Sequence, residues 1–285
     1  MSFIKKKLEE KFKEAYTGLN ENQKNAVDAI DGPIMVIAGP GTGKTQILAV
    51  RVGKILLETD ALPENILCLT YTDAGAVAMR KRLQEFIGAE AYKVNIHTFH
   101  SFCNDVIQEN LYLFEKTALD PVSDLERIGF YKELIDAFPK NHPLKRFRGD
   151  VYFDRENLEK LFSNMKKEDW MPDFINERIN ERLENLKHDE KLIYKTKREG
   201  QWKKGDLMPK YYEEVARMEK LRAAVNEFDN FQNLMRKNNR YDFDDMIIWV
   251  IKAFKENKNL LADYQERYQY ILVDEFQDTS GAQNQ

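Results

Sequence analysis

With 285 residues, 42% hydrophobic and 12% aromatic, the chain is long enough for one or two globular domains, each with its own core. Lys and Arg number 44 against 48 Asp and Glu, a net charge of -4, which excludes bulk attraction to a polyanion and leaves only a local patch for that purpose. No apolar run is long enough to cross a bilayer, and Cys68 and Cys103 sit in apolar stretches without zinc or redox-pair spacing, so a membrane role has no support and a reducing cytoplasm fits.

Residues 1–16 are charged and helical in pattern rather than a signal peptide. From Leu19 to about Cys103, short apolar runs alternate with amphipathic stretches, the pattern of βαβ units and a parallel sheet. The predicted strands are residues 34–37, 66–69 and 94–96, with helices from Lys44 to about 57 and from Asp73 to about 86. From about 104 to 240 the alternation stops, and the chain becomes charged and helical without a strong strand signal. Strand character returns at residues 270–273, directly before Asp274 and Glu275. The predicted organisation is one α/β domain, residues 1–103 and 241–285, interrupted by an all-helical domain at 104–240. In it, the returning strand pairs beside the strand at 34–37.

Two features of the helical stretch stand out. Leu221, Val225, Phe228, Phe231 and Leu234 recur at helical spacing and predict core packing rather than a ligand surface. Residues 195–204 combine Lys195, Lys197, Arg198, Lys203 and Lys204 with Trp202, a mixture suited to duplex or single-strand backbone contact. A solvated loop beside acidic neighbours accounts for them equally simply and is the favoured sequence reading.

Ala38-Gly39-Pro40-Gly41-Thr42-Gly43-Lys44-Thr45 lies between a predicted strand and a predicted helix, the context a phosphate-binding loop requires. Gly39, Gly41, Thr42 and Gly43 would let backbone N–H groups turn inward around phosphates, Lys44 would neutralise β/γ oxygens, and the Thr45 hydroxyl would ligate Mg²⁺. Ala38 departs from the usual pattern, which begins with glycine. Such a loop needs a carboxylate at a neighbouring strand end, and Asp274 supplies it, completing the Mg²⁺ shell with Thr45. Glu275 would polarise the attacking water. Lys44 and Asp274 are separated by far more chain than a few βαβ units of about 30 residues consume, and the surplus is the helical stretch.

These motifs, in this order, resemble superfamily 1 DNA helicases of the UvrD/Rep/PcrA type, whose fold is a RecA-like parallel sheet. The resemblance covers the α/β portion well, and the helical stretch only in position and character. Residues 19–23 resemble the adenine-reading segment, with Gln23 on the adenine edge, although they also read as a helix cap and first turn. Residues 70–79 resemble the first single-strand-binding motif, with Tyr71 keeping a stacking face, Thr72 beside it, Asp73 capping the helix and Ala74 standing where that motif carries Lys. Residues 97–102 resemble the motif whose Thr98, Phe99 and His100 follow the DNA strand; a metal at His97 and His100 is disfavoured for want of further ligands. Residues 241–246 resemble a segment read as structural, its carboxylates serving the positive end of a helix.

The resemblance implies an ATP- and Mg²⁺-dependent helicase acting on single-stranded DNA or a single/double-strand junction, with 3′ to 5′ movement. It also implies that the later motifs, including arginine fingers, belong to a second motor domain beyond Gln285. No oligomer is implied. A nucleotide-gated DNA-binding module, the helicase part of a helicase-nuclease and a P-loop small-molecule kinase are the alternatives, the last disfavoured by the paired DNA-type motifs.

Overall fold

The computed structural model describes residues 3–39, 41–114, 119–197 and 201–285, so Pro40 of the phosphate loop and residues 198–200 of the basic segment lie outside the described residues. Two compact units emerge, Met1–Phe114 with Trp249–Gln285, and Glu115–Ile248. The first opens with α1 (Phe3–Thr17), α2 (Glu21–Asp28), α3 (Lys44–Glu58), β1 (Ile66–Thr70), α4 (Asp73–Ile87), β2 (Asn95–Thr98), α5 (Phe99–Glu109) and α6 (Leu111–Phe114). The second contains β3 (Asp120–Pro121), α7 (Asp124–Ala137), α8 (Arg155–Glu168), α9 (Pro172–Lys187), α10 (Pro209–Asn226), α11 (Phe228–Lys237) and β4 (Arg240–Tyr241). Helix α12 (Phe243–Glu256) carries the chain across the division, and α13 (Lys258–Arg267) and β5 (Tyr270–Val273) complete the first unit. No helix among the described residues is long and apolar enough to cross a membrane.

The first unit is built on a parallel three-stranded sheet in the order β2-β1-β5. Strand β1 is central and buried along its whole length, which is why it reads as a continuous apolar run. Its side chains alternate between faces. Ile66 and Cys68 join the larger core with Ile55 of α3, Met79 and Leu83 of α4, Ile96 and Leu272. Leu67 and Leu69 pack on the opposite face against Phe99, Phe102 and Val273. Helix α5 covers this face and belongs to the first unit, which runs to Phe114 before the chain leaves it.

The expected strand at 34–37 does not form: these residues belong to no regular element, with Ile37 92% and Met35 72% exposed. The returning strand β5 pairs instead with β1, Leu67 opposite Ile271 and Leu69 opposite Val273. A cavity of about 380 Å³ lies between residues 32–36 and 271–277. An apolar run favours burial, but a strand also needs an adjacent edge for its N–H and C=O groups, and residues 34–37 pair with none among the described residues.

The second unit is helical around one core. Tyr131 stacks on Phe231 at 4.2 Å, and Phe162 packs edge-on to Phe228. The stripe from Leu221 to Leu234 joins this core, with Val225, Phe228 and Phe231 buried and the two leucines partly so. Strand character is not wholly absent, since β3 and β4 pair in parallel and Ile193 bridges Leu207 in antiparallel fashion.

Candidate nucleotide site and the strand-end motifs

All three strands of the parallel sheet run the same way, so their carboxyl ends lie on one edge, the position where α/β sheets bind ligands. Tyr71 and Thr72 follow β1, Thr98 ends β2, and Asp274 and Glu275 follow β5. Asp274 is held against β1 as well, its N–H donating to the Leu69 carbonyl at 2.9 Å.

The phosphate loop leads into α3. Gly41 and Gly43 adopt φ of 73° and 82°, in the left-handed region where a side chain would be strained. Gly43 caps α3 without any side-chain hydrogen bond. Thr42 Oγ1 donates to the Gly39 carbonyl at 2.7 Å and closes the turn. This arrangement suits an anion at the helix terminus.

The acidic partners meet the loop directly. Lys44 Nζ stands 3.7 Å from Glu275 Oε2, and the Thr45 hydroxyl is hydrogen-bonded to Asp274. Burial pushes the Asp274 carboxyl above its usual range; the Glu275 N–H, which donates to Asp274 Oδ1 at 3.0 Å, works against that shift. A hydroxyl and a desolvated carboxylate are hard oxygen donors, so the pair fits Mg²⁺. Glu275 itself has φ of 51°, a left-handed conformation rare outside glycine. Gln277 Nε2 donates to Glu275 Oε2 and also to Asp278 Oδ2 at 3.3 Å, contacts that hold the glutamate and that the sequence pattern did not single out.

Gln23 does two jobs at once. It forms a capping box with Asn20, each side chain accepting from the other residue's N–H at 2.9 Å, and its Nε2 donates to the Thr42 carbonyl at 3.0 Å. Its amide is therefore engaged with the helix start and the phosphate loop, and reading an adenine edge would require exchanging these bonds.

The DNA-type residues separate into two sets. Tyr71 is 54% exposed, an open ring at the end of β1. Phe99 is only 9% exposed and packs against Leu67 and Leu69. The reason is local: α5 starts directly after β2 with no loop, which turns its first side chain onto the sheet face. Thr72, rather than Asp73, caps α4 by accepting from the Gly75 N–H at 3.0 Å. Thr98 caps α5 in a box with Ser101. His100 is half-buried, and His97 Nδ1 pairs with Asp105 at 3.3 Å while burial lowers its pKa.

Residues 241–245 are more deeply used than a dipole argument predicts. The Asp245 N–H donates to Asp242 and the Asp242 N–H to Asp245, and both carboxylates grip Lys166 of α8 at 2.6 and 2.7 Å. Lys166 is 2% exposed. Burial disfavours its charge, yet the two aspartates hold its pKa above the ordinary value. No spacing rule links Lys166 to this segment.

Residues 19–285 match the family described as UvrD/REP helicase N-terminal domain. The chain is 30% identical over 267 residues to ATP-dependent DNA helicase PcrA of Staphylococcus aureus (strain Mu50 / ATCC 700699), with 93% of this chain and 30% of that protein covered. It is 29% identical over 267 residues, with the same coverage, to the PcrA of Staphylococcus epidermidis (strain ATCC 12228 / FDA PCI 1200). The chain thus spans about 30% of the length of these curated relatives.

Proposed function

The chain belongs to the family of UvrD/REP helicase N-terminal domains, and from that premise we propose that it is the nucleotide-binding part of an ATP-dependent DNA helicase or translocase moving 3′ to 5′ on single-stranded DNA. The observation that carries this reading is the meeting of Lys44 and Thr45 with Glu275 and Asp274 at the carboxyl edge of the sheet. Lys44 neutralises the β/γ-phosphate oxygens, which requires it to leave Glu275, and this exchange frees the glutamate to orient water. Thr45 and Asp274 are the residues that would hold Mg²⁺. When bound, that ion neutralises charge on the phosphate oxygens. Tyr71 offers a face on which any base can stack, so contact with DNA there is tolerant of sequence. Thr72 and Thr98 position the backbone at the same edge.

Turnover by this chain alone is slow in this reading. Arginine stabilisation of the transferring phosphoryl group is worth about 10³–10⁵ in rate. Arg51, which borders the same cavity, is committed to the Ala26 and Ile30 carbonyls at 2.6 and 3.2 Å. Calorimetry with Mg²⁺–ATP should give a measurable affinity that Lys44→Ala abolishes, alongside ATP turnover that is barely raised by single-stranded DNA. Binding that survives Lys44→Ala, or rapid DNA-stimulated turnover, would sink this division of labour.

A further inference from the structure

The first unit holds a second cavity, away from its nucleotide edge. It has a volume of about 280 Å³ and sits where Asn65 precedes β1 and Asn95 begins β2, the amino ends of strands whose carboxyl ends face the nucleotide residues. Two helices wall it. Phe102, Asp105, Val106 and Glu109 recur on α5 at i, i+3, i+4 and i+7, a single helical face, and Tyr264, Arg267 and Tyr268 repeat the i, i+3, i+4 spacing at the end of α13. The strand starts are tied in by side-chain amides, Asn95 Nδ2 donating to the Glu64 carbonyl at 2.9 Å and Asn65 Nδ2 to the Arg267 carbonyl at 3.1 Å. The cavity is therefore built in advance, and its volume lies just below the roughly 300–1,000 Å³ of drug-sized sites, which suits a small molecule.

Two observations set the chemistry of its ligand. The first is a guanidinium that the chain itself supplies. Arg267 stands over the rings of Tyr264 and Tyr268, 5.0 and 5.9 Å from their centroids, and its Nη1 meets Glu109 Oε2 at 2.8 Å, the Tyr264 hydroxyl donating to the same oxygen at 2.7 Å. This wall already takes an organic cation by ring faces and a carboxylate together. The second is a carboxylate left over. One turn earlier on α5, Asp105 has His97 Nδ1 at 3.3 Å, and no other described cation pairs with it. Burial lowers the His97 pKa, so the imidazole is neutral at pH 7 and does not offset that charge. Phe102 lies a turn before Asp105, edge-on to Tyr264 and Tyr268 at 6.2 and 6.0 Å. We propose that this cavity binds a small organic cation, a guanidinium or alkylammonium compound, whose charged head pairs with Asp105 and whose alkyl body lies along Phe102 and Val106. An anion is disfavoured because Arg267 is already committed to Glu109. A bare metal ion is disfavoured because no group of three metal-ligating side chains gathers among the described residues. The site does not depend on the nucleotide reading above.

The test is a ligand-observed NMR titration of the full chain, free of nucleotide and DNA, with butylguanidinium and its neutral isostere butylurea. The cation should bind and the urea should not. Asp105→Asn removes the charge and keeps the shape, so it should weaken butylguanidinium about ten-fold or more, the loss of a charge-assisted pair. Asp105→Glu should retain part of the affinity, and Phe102→Leu should weaken it several-fold by removing the ring. Arg267→Gln withdraws the internal guanidinium from Glu109 and the two tyrosines, and should tighten binding. Circular dichroism checks that each variant is folded, and Mg²⁺–ATP affinity should be unchanged in Asp105→Asn because the nucleotide residues lie at the opposite strand ends. Equal binding of butylurea, full affinity in Asp105→Asn, or no binding of butylguanidinium by the parent chain overturns the proposal. Unchanged or weaker binding in Arg267→Gln counts against it equally, because the freed carboxylate and ring faces would then show no preference for a cation.

Discussion

Each unit holds a lysine between acidic residues, and the two clusters differ in what their surroundings allow. In the second unit Lys166 is 2% exposed and lies 2.6 and 2.7 Å from Asp242 and Asp245, with Gln232 Nε2 donating to Asp245 at 3.0 Å. In the first unit Lys44 is 3.7 Å from Glu275, with both side chains partly exposed. In sequence the two acidic segments look alike, each a tight group of carboxylates beside an aromatic residue. What separates them is solvation. A buried lysine gripped by two carboxylates has no freedom to exchange partners without leaving an unpaired charge behind, which costs several kcal/mol. A loose, hydrated pair can be traded for a phosphate at little expense. Tightness here marks scaffold, and looseness marks a site.

The largest effect that would probe this contrast lies in the chemistry. Glu275→Gln should lower single-turnover ATP hydrolysis by about 10²–10⁴ while leaving Mg²⁺–ATP affinity within a few-fold, as befits a group that orients water. Unchanged hydrolysis would move the role elsewhere, with Asp278 the next carboxylate along.

Next in size is stability. Lys166→Met should cost about 3–5 kcal/mol in denaturant titration, because Asp242 and Asp245 lose their counter-charge inside the unit. Lys44→Met should cost less than about 1 kcal/mol. Equal costs would erase the distinction. Replacing Lys166, Asp242 and Asp245 together with Met and Asn should recover part of the loss, since a satisfied apolar replacement avoids the stranded charges.

A smaller effect separates the two aromatic residues expected at the DNA edge. Tyr71→Ala should weaken single-strand binding by about 1–3 kcal/mol with little change in stability. Phe99→Ala should do the reverse, costing about 3–5 kcal/mol of stability through the void it leaves against Leu67 and Leu69. Selective loss of DNA affinity from the Phe99 variant would show that its ring reaches a base after all.

The smallest expected effect is a pH dependence. Protonated Asp274 cannot ligate a cation, and burial sets its carboxyl pKa above the ordinary value. Mg²⁺-dependent nucleotide affinity should therefore be full well above that pKa and fall as pH drops through it, starting at a higher pH than an unperturbed aspartate would give. Asp274→Asn should remove this dependence together with most of the Mg²⁺ contribution. In the folding equilibrium the sign is opposite, because a raised carboxylate pKa favours the native state below the unfolded value and this benefit is lost as pH rises.

The sequence by itself determined several elements that depend on neighbours along the chain. The glycines and Lys44-Thr45 before an amphipathic run specified the loop and the start of α3, Asn20 and Gln23 specified a capped helix, and the apolar run before Asp274 specified β5. Hydrophobic period, cap chemistry and backbone freedom are local properties, which is why these elements were legible. The tertiary structure decided which edge each strand meets and what stands beside each charge. Only packing reveals that β5 joins β1 while residues 34–37 remain unpaired, or that Phe99 turns onto the sheet and Tyr71 does not. Only packing brings Lys166 onto Asp242 and Asp245 and lets Gln23 touch Thr42. Burial and partner choice arise between segments far apart in the chain, and no periodicity within either segment encodes them.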